Sequence, residues 1–108
     1  MRHQLIGDLG LQEILDRGSS WALVAFTSWG SIPCNHFRPE FCAIAGHFRA
    51  DIYCAEISMD ENPSIADRLK IMAVPTTLLL HRGKEVRRFE GPYSQEALIK
   101  RVTRLLRA

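Results

Sequence analysis

The segment WGSIPCNHF, residues 29–37, holds the residue best suited to chemistry in this sequence, Cys34. Cys34 follows Pro33 directly, and proline is common in the first turn of a helix. A thiol at a helix N-terminus meets unsatisfied backbone N–H groups and the positive end of the helix dipole, and both stabilise a thiolate. His36 could add positive charge close by. These features favour a reactive thiol at Cys34.

The apolar periodicity of the same segment gives Cys34 a second interpretation. Phe37, Phe41, Ile44 and Phe48 recur at helical spacing and form one face of an amphipathic helix, and Cys34 lies on that face. A thiol that is buried among apolar side chains has a raised pKa and little reactivity. The sequence leaves both interpretations of Cys34 open.

The other two cysteines are predicted to be core residues. Cys42 lies eight residues farther along the same helix, about 12 Å from Cys34 and too far for a disulfide. Cys54 falls in an apolar run and should pack as a small apolar side chain. Cys34 and His36 are too close together to serve as metal ligands and have no further partners at ligand spacing. We therefore expect neither a metal nor a cofactor.

Apolar runs and turn residues predict the elements that position these side chains. The strand-like runs are WALVAF (21–26), DIYCAEIS (51–58), TTLLLH (76–81) and EVRRFEG (85–91). Gly83 suits a tight turn that makes the last two strands an antiparallel pair. Helices are predicted to begin near Asp8, Cys34, Asn62-Pro63 and Ser94, with a stop at Gly18 and a kink at Pro39. The alternation predicts an α/β fold, with a central mixed sheet of four to five strands and helices on both faces. The fifth strand would be a short one at residues 4–6.

Length and composition indicate one globular domain over residues 1–108. The chain is 46% hydrophobic and 24% charged, the balance of a soluble domain. Its longest apolar run is too short to span a bilayer, and the first 18 residues lack the pattern of an export signal. Three cysteines is an odd number, which argues against a disulfide framework. We expect a cytoplasmic protein with no membrane partner.

The net charge of +2 is unevenly distributed. Residues 1–81 hold six Lys and Arg against nine Asp and Glu, whereas residues 82–108 hold eight against three. A basic last helix is favoured by the negative end of its own dipole. No RNA-binding aromatic motif or zinc-finger spacing accompanies the charge. We therefore expect no nucleic-acid partner, and any other role of the basic helix stays open.

The order of elements, with Pro33-Cys34 at the second helix and AVPTT (73–77) before the hairpin, resembles the thioredoxin family. The resemblance covers about Leu5 to Leu106. It includes ALVAF, Pro39, MDENPSIADRLKIMAVPTT, Gly83 and Gly91. It implies the thioredoxin fold, a cis peptide bond before Pro75, and a working motif of two cysteines separated by two residues. In that motif the first cysteine attacks and the second resolves.

In this sequence, serine stands at the position of the attacking cysteine. The spacing from Phe26 to Cys34 matches the family and identifies Cys34 as the resolving thiol and Ser31 as the replaced nucleophile. An alignment on Trp29 would place Gly30 there instead. Neither residue can form a disulfide, so a two-thiol cycle within the motif is not expected.

The family's acid-base pair is also replaced. Ala25 stands where the family has a buried aspartate, and Glu56 where it has a lysine. Glu56 could act as a base for Cys34, because desolvation raises the pKa of a carboxyl group. We favour the alternative that Glu56 lies at the sheet margin and pairs with an Arg or Lys.

The resemblance further implies an apolar groove that holds a substrate polypeptide. An extended peptide could bind there through backbone contacts beside Pro75. The matching residues are Trp29, Gly30, Pro33, Val74, Pro75 and Gly91.

Two functions follow from these residues. The first is thiol–disulfide chemistry through the single thiol Cys34 beside Ser31, which would form a transient mixed disulfide with a protein or with glutathione. An external thiol or a reductase would then resolve it. The second is a redox-inactive adaptor that engages a partner polypeptide through the groove, since fold does not imply function. A third possibility is peroxide reduction, because the spacing of Ser31 and Cys34 resembles the Thr-x-x-Cys motif of peroxiredoxins. However, that family has a proline ahead of the threonine, and the region before Ser31 lacks one.

Overall fold

The computed structural model describes residues 4–17 and 21–107, which form five strands and four helices. The elements are β1 (Gln4–Ile6), α1 (Asp8–Arg17), β2 (Trp21–Thr27), α2 (Ile32–Phe48), β3 (Tyr53–Ser58), α3 (Pro63–Arg68), β4 (Thr76–His81), β5 (Lys84–Glu90) and α4 (Gln95–Leu106). The predicted order is confirmed, including the short first strand. Gly18, the expected stop of α1, lies outside the described residues. Within these ranges, no helix is both long and apolar enough to cross a membrane.

The five strands form one mixed sheet in the order β1-β3-β2-β4-β5. β3 is parallel to both β1 and β2, whereas β4 is antiparallel to β2 and to β5. Parallel neighbours need crossover connections, and α1 and α2 supply them. The predicted mixed sheet and the β4–β5 hairpin are therefore confirmed.

Helices cover both faces of the sheet. α2 and α4 pack on one face, where Phe37, Phe41 and Ile44 contribute to a buried cluster with Leu98 of α4. α1 and α3 cover the other face. β2 is buried on both faces, which explains why its sequence is continuously apolar instead of alternating.

Two of the predicted helix starts differ in detail from the structure. α2 begins at Ile32, two residues before Cys34, and continues through Pro39. α3 begins after Asn62 as predicted, but the Asn62 side chain makes no capping bond. Its Nδ2 instead donates to the backbone oxygen of Ser58 at 2.9 Å and ties the helix to the end of β3.

The β4–β5 hairpin packs closely on α1 through Gly83. Gly83 has φ +78°, and a Cβ atom at this position would lie 2.2 Å from the backbone oxygen of Leu15. Both the backbone conformation and the space therefore require glycine at this turn.

One edge of the sheet gathers the loops that matter for function. The last residues of β2 pair with the first residues of β4, Phe26 opposite Thr76, so the loops after β2 and before β4 leave the sheet together. The Val74–Pro75 peptide bond is cis, as the resemblance implied. The backbone N–H of Gly91 donates to the oxygen of Pro75 at 2.8 Å and brings the segment after β5 to the same place.

Candidate functional site

Ser31 is the N-cap of α2. Its backbone is extended (φ −87°, ψ 120°), and its Oγ accepts a hydrogen bond from the N–H of Cys34 at 3.2 Å. Serine is among the best N-cap residues because its oxygen satisfies a free N–H of the first turn. The Ser31 hydroxyl therefore stabilises the start of the helix.

Cys34 is fully buried. Its exposed fraction is 0%, and it lies on the same buried face of α2 as Phe37 and Phe41. Ile32 and Pro33, directly before it, are exposed. Of the two interpretations of Cys34, the structure supports the buried thiol, which solvent and dissolved reagents do not reach in this conformation.

Glu56 forms a buried ion pair. It is 4% exposed, and its Oε2 accepts hydrogen bonds from Arg38 Nε at 2.8 Å and from Thr27 Oγ1 at 2.5 Å. The predicted pairing with an arginine is confirmed. The predicted position at the sheet margin is wrong, because β3 lies between β1 and β2 and Ala25 is the register partner of Glu56. The guanidinium neutralises the carboxylate, so this geometry favours a structural role over a free base for Cys34.

Arg38 connects this buried carboxylate to the exposed Trp29. The centre of its guanidinium lies 4.7 Å from the centroid of the Trp29 ring, a cation–π contact. Its Nη1 donates to Asn35 Oδ1 at 2.6 Å, and its Nη2 donates to the backbone oxygen of Ser28 at 3.4 Å. One side chain thus contacts both Ser28 and Trp29 in the loop between β2 and α2.

Asp60 holds the same loop from the other side. Its Oδ2 accepts from the backbone N–H of Trp29 at 2.8 Å, and both of its oxygens lie 3.1 Å from Ser28 Oγ. The Trp29 ring remains 45% exposed although its backbone is fixed. Neither Arg38 nor Asp60 is predicted from the sequence. A signal for Asp60 exists, since it lies two residues after β3 and parallel strands end at the same edge.

The loop before β4 lies at the same edge of the sheet as the Trp29 loop. Met72 is 84% exposed, Val74 is half-buried and Pro75 is buried. Thr76 Oγ1 donates to the backbone oxygen of Ala73 at 2.6 Å and fixes the loop at its end. The structure brings all six predicted groove residues to this edge of the sheet: Trp29, Gly30, Pro33, Val74, Pro75 and Gly91.

Arg88 of β5 anchors the beginning of this loop. Its Nη1 donates to the backbone oxygen of Lys70 and its Nη2 to that of Leu69, both at 2.8 Å. Glu85 forms an ion pair with Arg88 at 2.8 Å, and the hydrogen bond from Arg88 lowers the pKa of Glu85. Arg88 therefore positions the chain that leads to Met72.

Replacing Arg88 with alanine should lower the free energy of unfolding by about 1–2 kcal/mol, because two backbone carbonyls lose their donor. Arg87→Ala, at an exposed neighbouring position, is the control and should have little effect. The lowered pKa of Glu85 means that its ion pair stabilises the fold above the usual carboxyl pKa and that this contribution is lost as pH falls. The difference between parent and Arg88→Ala in urea titrations should therefore shrink in acid. Equal effects of the two variants would contradict the role of Arg88.

The other two cysteines differ in how deeply they are buried. Cys54 is buried and Cys42 is half-buried. The predicted core position is confirmed for Cys54, whereas Cys42 is only partly covered. Within residues 4–17 and 21–107, no group of three His, Cys, Asp or Glu side chains could hold a metal ion.

Cys54 should resist alkylation in the folded protein. Burial raises its pKa to about 12, so at mildly alkaline pH the thiol is almost entirely neutral and offers almost no thiolate to the reagent. Mass spectrometry after treatment with iodoacetamide at mildly alkaline pH should find Cys54 unmodified. The same treatment in concentrated guanidinium chloride should modify it fully. Modification of the folded protein at the denatured rate would contradict this burial.

Comparisons with known proteins agree with this architecture. The thioredoxin family model matches residues 8–104. A thioredoxin from Chlorobaculum thiosulfatiphilum is 29% identical over 90 residues, covering 83% of this chain and 82% of the relative. Thioredoxin H2 from Arabidopsis thaliana is 34% identical over 83 residues, covering 77% of this chain and 61% of the relative. A crystal structure of chloroplastic thioredoxin z superposes with a TM-score of 0.89 at 21% identity, covering 100% of this chain and 97% of that one.

The expected thioredoxin fold is thus confirmed by a solved structure and by the sheet order. Thioredoxins are redox proteins that interact with thiol or disulfide groups of proteins and with reductases. Because the family model covers nearly the whole sequence, the chain belongs to the thioredoxin family.

Proposed function

We propose that this protein binds an extended segment of a partner polypeptide at the sheet edge formed by Trp29 and Pro75, without running a two-thiol cycle. The observation that carries this proposal is the complete burial of Cys34 next to Ser31. The position that should present an attacking sulfur presents a hydroxyl, and the retained sulfur does not reach the surface. What remains accessible is the binding surface.

The exposed side chains at this edge suit an apolar peptide. Three large apolar residues remain exposed here: Trp29 and Met72 on the two adjoining loops and Ile32 at the start of α2. Such a concentration of apolar surface is typical of an interaction site. Arg38 and Asp60 hold the Trp29 loop in place before any partner arrives. Because the loop is already ordered, less conformational entropy is lost when a partner binds.

Single-thiol chemistry through Cys34 is the second candidate, and the position of Cys34 in the first turn of α2 favours it. The free N–H groups of that turn stabilise a thiolate. If the exposed Ile32-Pro33 segment moved aside, the thiolate could attack a disulfide of a protein or of glutathione. One sulfur of that disulfide would bond to Cys34 and the other would leave as a thiolate. An external thiol or a reductase would then release Cys34.

The reactivity of Cys34 separates the two candidates. In a Cys42→Ala/Cys54→Ala variant, the rate of alkylation by iodoacetamide would be measured between mildly acidic and mildly alkaline pH. For a binding module we expect a rate at least about 100-fold below that of free glutathione, because the folded protein does not expose the sulfur. Fast alkylation with a midpoint well below about 8.5, the value for free cysteine, would favour the single-thiol enzyme. The same variant in denaturant gives the reference rate.

Binding itself can be tested with a thiol-free unfolded polypeptide. Reduced, carboxymethylated α-lactalbumin, labelled with fluorescein, would be titrated with the protein while anisotropy is recorded. Trp29→Ala should weaken binding by about tenfold, as the loss of a large aromatic contact does at other interfaces. Tyr53→Ala is a matched control, since Tyr53 is 41% exposed but begins β3 at the opposite edge of the sheet. Absence of saturable binding, or equal losses in both variants, would contradict the proposal.

A further inference from the structure

A groove between α2 and α4 carries a cluster of cationic side chains. The groove has a volume of about 490 Å³ and is open to solvent. Its lining residues are His47, Ile99, Lys100, Thr103, Arg104 and Arg107. His47 lies sixteen residues beyond Ser31 along α2, about 24 Å away at the helical rise per residue. The groove is therefore separate from the candidate site at the N-terminus of α2.

The cations of this groove are not neutralised within the part of the chain that the structure describes. Lys100, Arg104 and Arg107 form no ion pair with a carboxylate there, whereas Arg38 and Arg88 each do. The helix dipole accounts for basic residues only in the last turn of α4. Lys100 lies one turn earlier. The positive charge of the groove is thus available to an external anionic group.

We propose that this groove binds an acidic segment of a partner polypeptide. Lys100 and Arg104 of α4 and its C-cap Arg107 stand at i, i+4 and i+7, so their charges form a stripe about 10 Å long. Carboxylates at the same spacing on a partner helix would face all three. Ile99 and the methyl group of Thr103 provide a floor for one apolar side chain of that helix.

The shape and composition of the groove favour a polypeptide over a nucleic acid. Sites for single-stranded nucleic acids combine cations with aromatic side chains on which bases stack. No aromatic residue other than His47 lines this groove. Tyr93 of the preceding loop is engaged by Arg101, whose guanidinium centre lies 5.7 Å from its ring centroid. A phosphate backbone also has no apolar group that could contact Ile99 and Thr103.

The test uses a fluorescein-labelled helical peptide with glutamate at i, i+4 and i+7 and one leucine between them. Anisotropy titration with the full chain should give saturable binding that weakens as salt is added. The peptide with glutamine in place of glutamate should bind at least about tenfold more weakly, because charge complementarity is lost. Equal binding of the two peptides, or tighter binding of single-stranded DNA of similar length, would overturn the proposal.

Charge-reversal variants locate the binding to the groove. Arg104→Glu should weaken binding of the acidic peptide by at least about tenfold, and the milder Arg104→Gln by about threefold. Arg68→Glu makes the same charge change on α3, which covers the opposite face of the sheet, and should change affinity by less than about twofold. Circular dichroism would confirm that each variant is folded. A loss in Arg68→Glu as large as that in Arg104→Glu would mean that only net charge attracts the peptide, which overturns the proposed site.

Discussion

Replacing Ser31 with cysteine should raise the rate of insulin reduction in dithiothreitol by at least about 100-fold over the parent protein. Ser31 is the N-cap of α2, with an extended backbone and a partly exposed side chain. A sulfur there would be accessible to a partner disulfide. It would also sit beside the first-turn N–H groups that lower the pKa of a thiol. Cys34, one turn along, could then resolve the mixed disulfide.

Two control variants identify the cause of the gain. Ser31→Ala removes the cap without adding sulfur and should stay as inactive as the parent. Ser31→Cys/Cys34→Ala should form stable mixed disulfides without turnover, because the resolving thiol is gone. If Ser31→Cys fails but Gly30→Cys succeeds, the alignment on Trp29 is the correct one. If both fail, the replaced aspartate at Ala25 becomes the next position to restore.

Removing Arg38 should lower the free energy of unfolding by about 2–3 kcal/mol, measured by urea denaturation at neutral pH. Arg38→Ala removes the guanidinium that neutralises the buried carboxylate of Glu56 and leaves the hydrogen bond from Thr27 in place. We place the effect below the range of about 3–5 kcal/mol for fully buried pairs, because the Arg38 side chain is 22% exposed. The variant should also free the Trp29 ring, so acrylamide should quench its fluorescence more strongly.

A second substitution tests whether the uncompensated charge causes this loss. Arg38→Ala/Glu56→Gln carries no buried charge and keeps an acceptor for Thr27, so it should regain at least about 1 kcal/mol relative to Arg38→Ala. If the double variant is less stable than Arg38→Ala, the loss arises from packing of the arginine stem instead of from charge. Trp21, which stacks on His81 far from this loop, contributes a constant background to the quenching.

The fold could be predicted from the sequence because its signals are local and agree with one another. The continuous apolar run of β2, the helical stripe of Phe37 and Phe41, and Gly83 at the hairpin each depend on neighbouring residues only. The apolar stripe of α2 begins at Cys34 and so predicts a start there, whereas the cap formed by Ser31 begins the helix at Ile32.

The candidate site was predictable only in part, because its polar contacts join residues distant in sequence. The groove residues followed from the resemblance. Arg38 and Glu56 are eighteen residues apart, and Trp29 and Asp60 are thirty-one apart. No periodicity reveals that Arg38 turns towards β3 while its guanidinium also lies over Trp29. The exposure of Cys34 was equally undetermined, since a helix N-terminus can present a first-turn side chain to solvent or to the sheet.

The burial of Cys34 also has a consequence for conditions of oxidative stress. A two-cysteine thioredoxin changes its active site when peroxide or disulfide stress oxidises the pair. Cys34 is covered, and the hydroxyl of Ser31 is inert to thiol oxidants. Disulfide stress should therefore leave the proposed binding surface around Trp29 and Pro75 unchanged. Peroxide differs, because it can oxidise the sulfur of Met72, which is 84% exposed on the same surface.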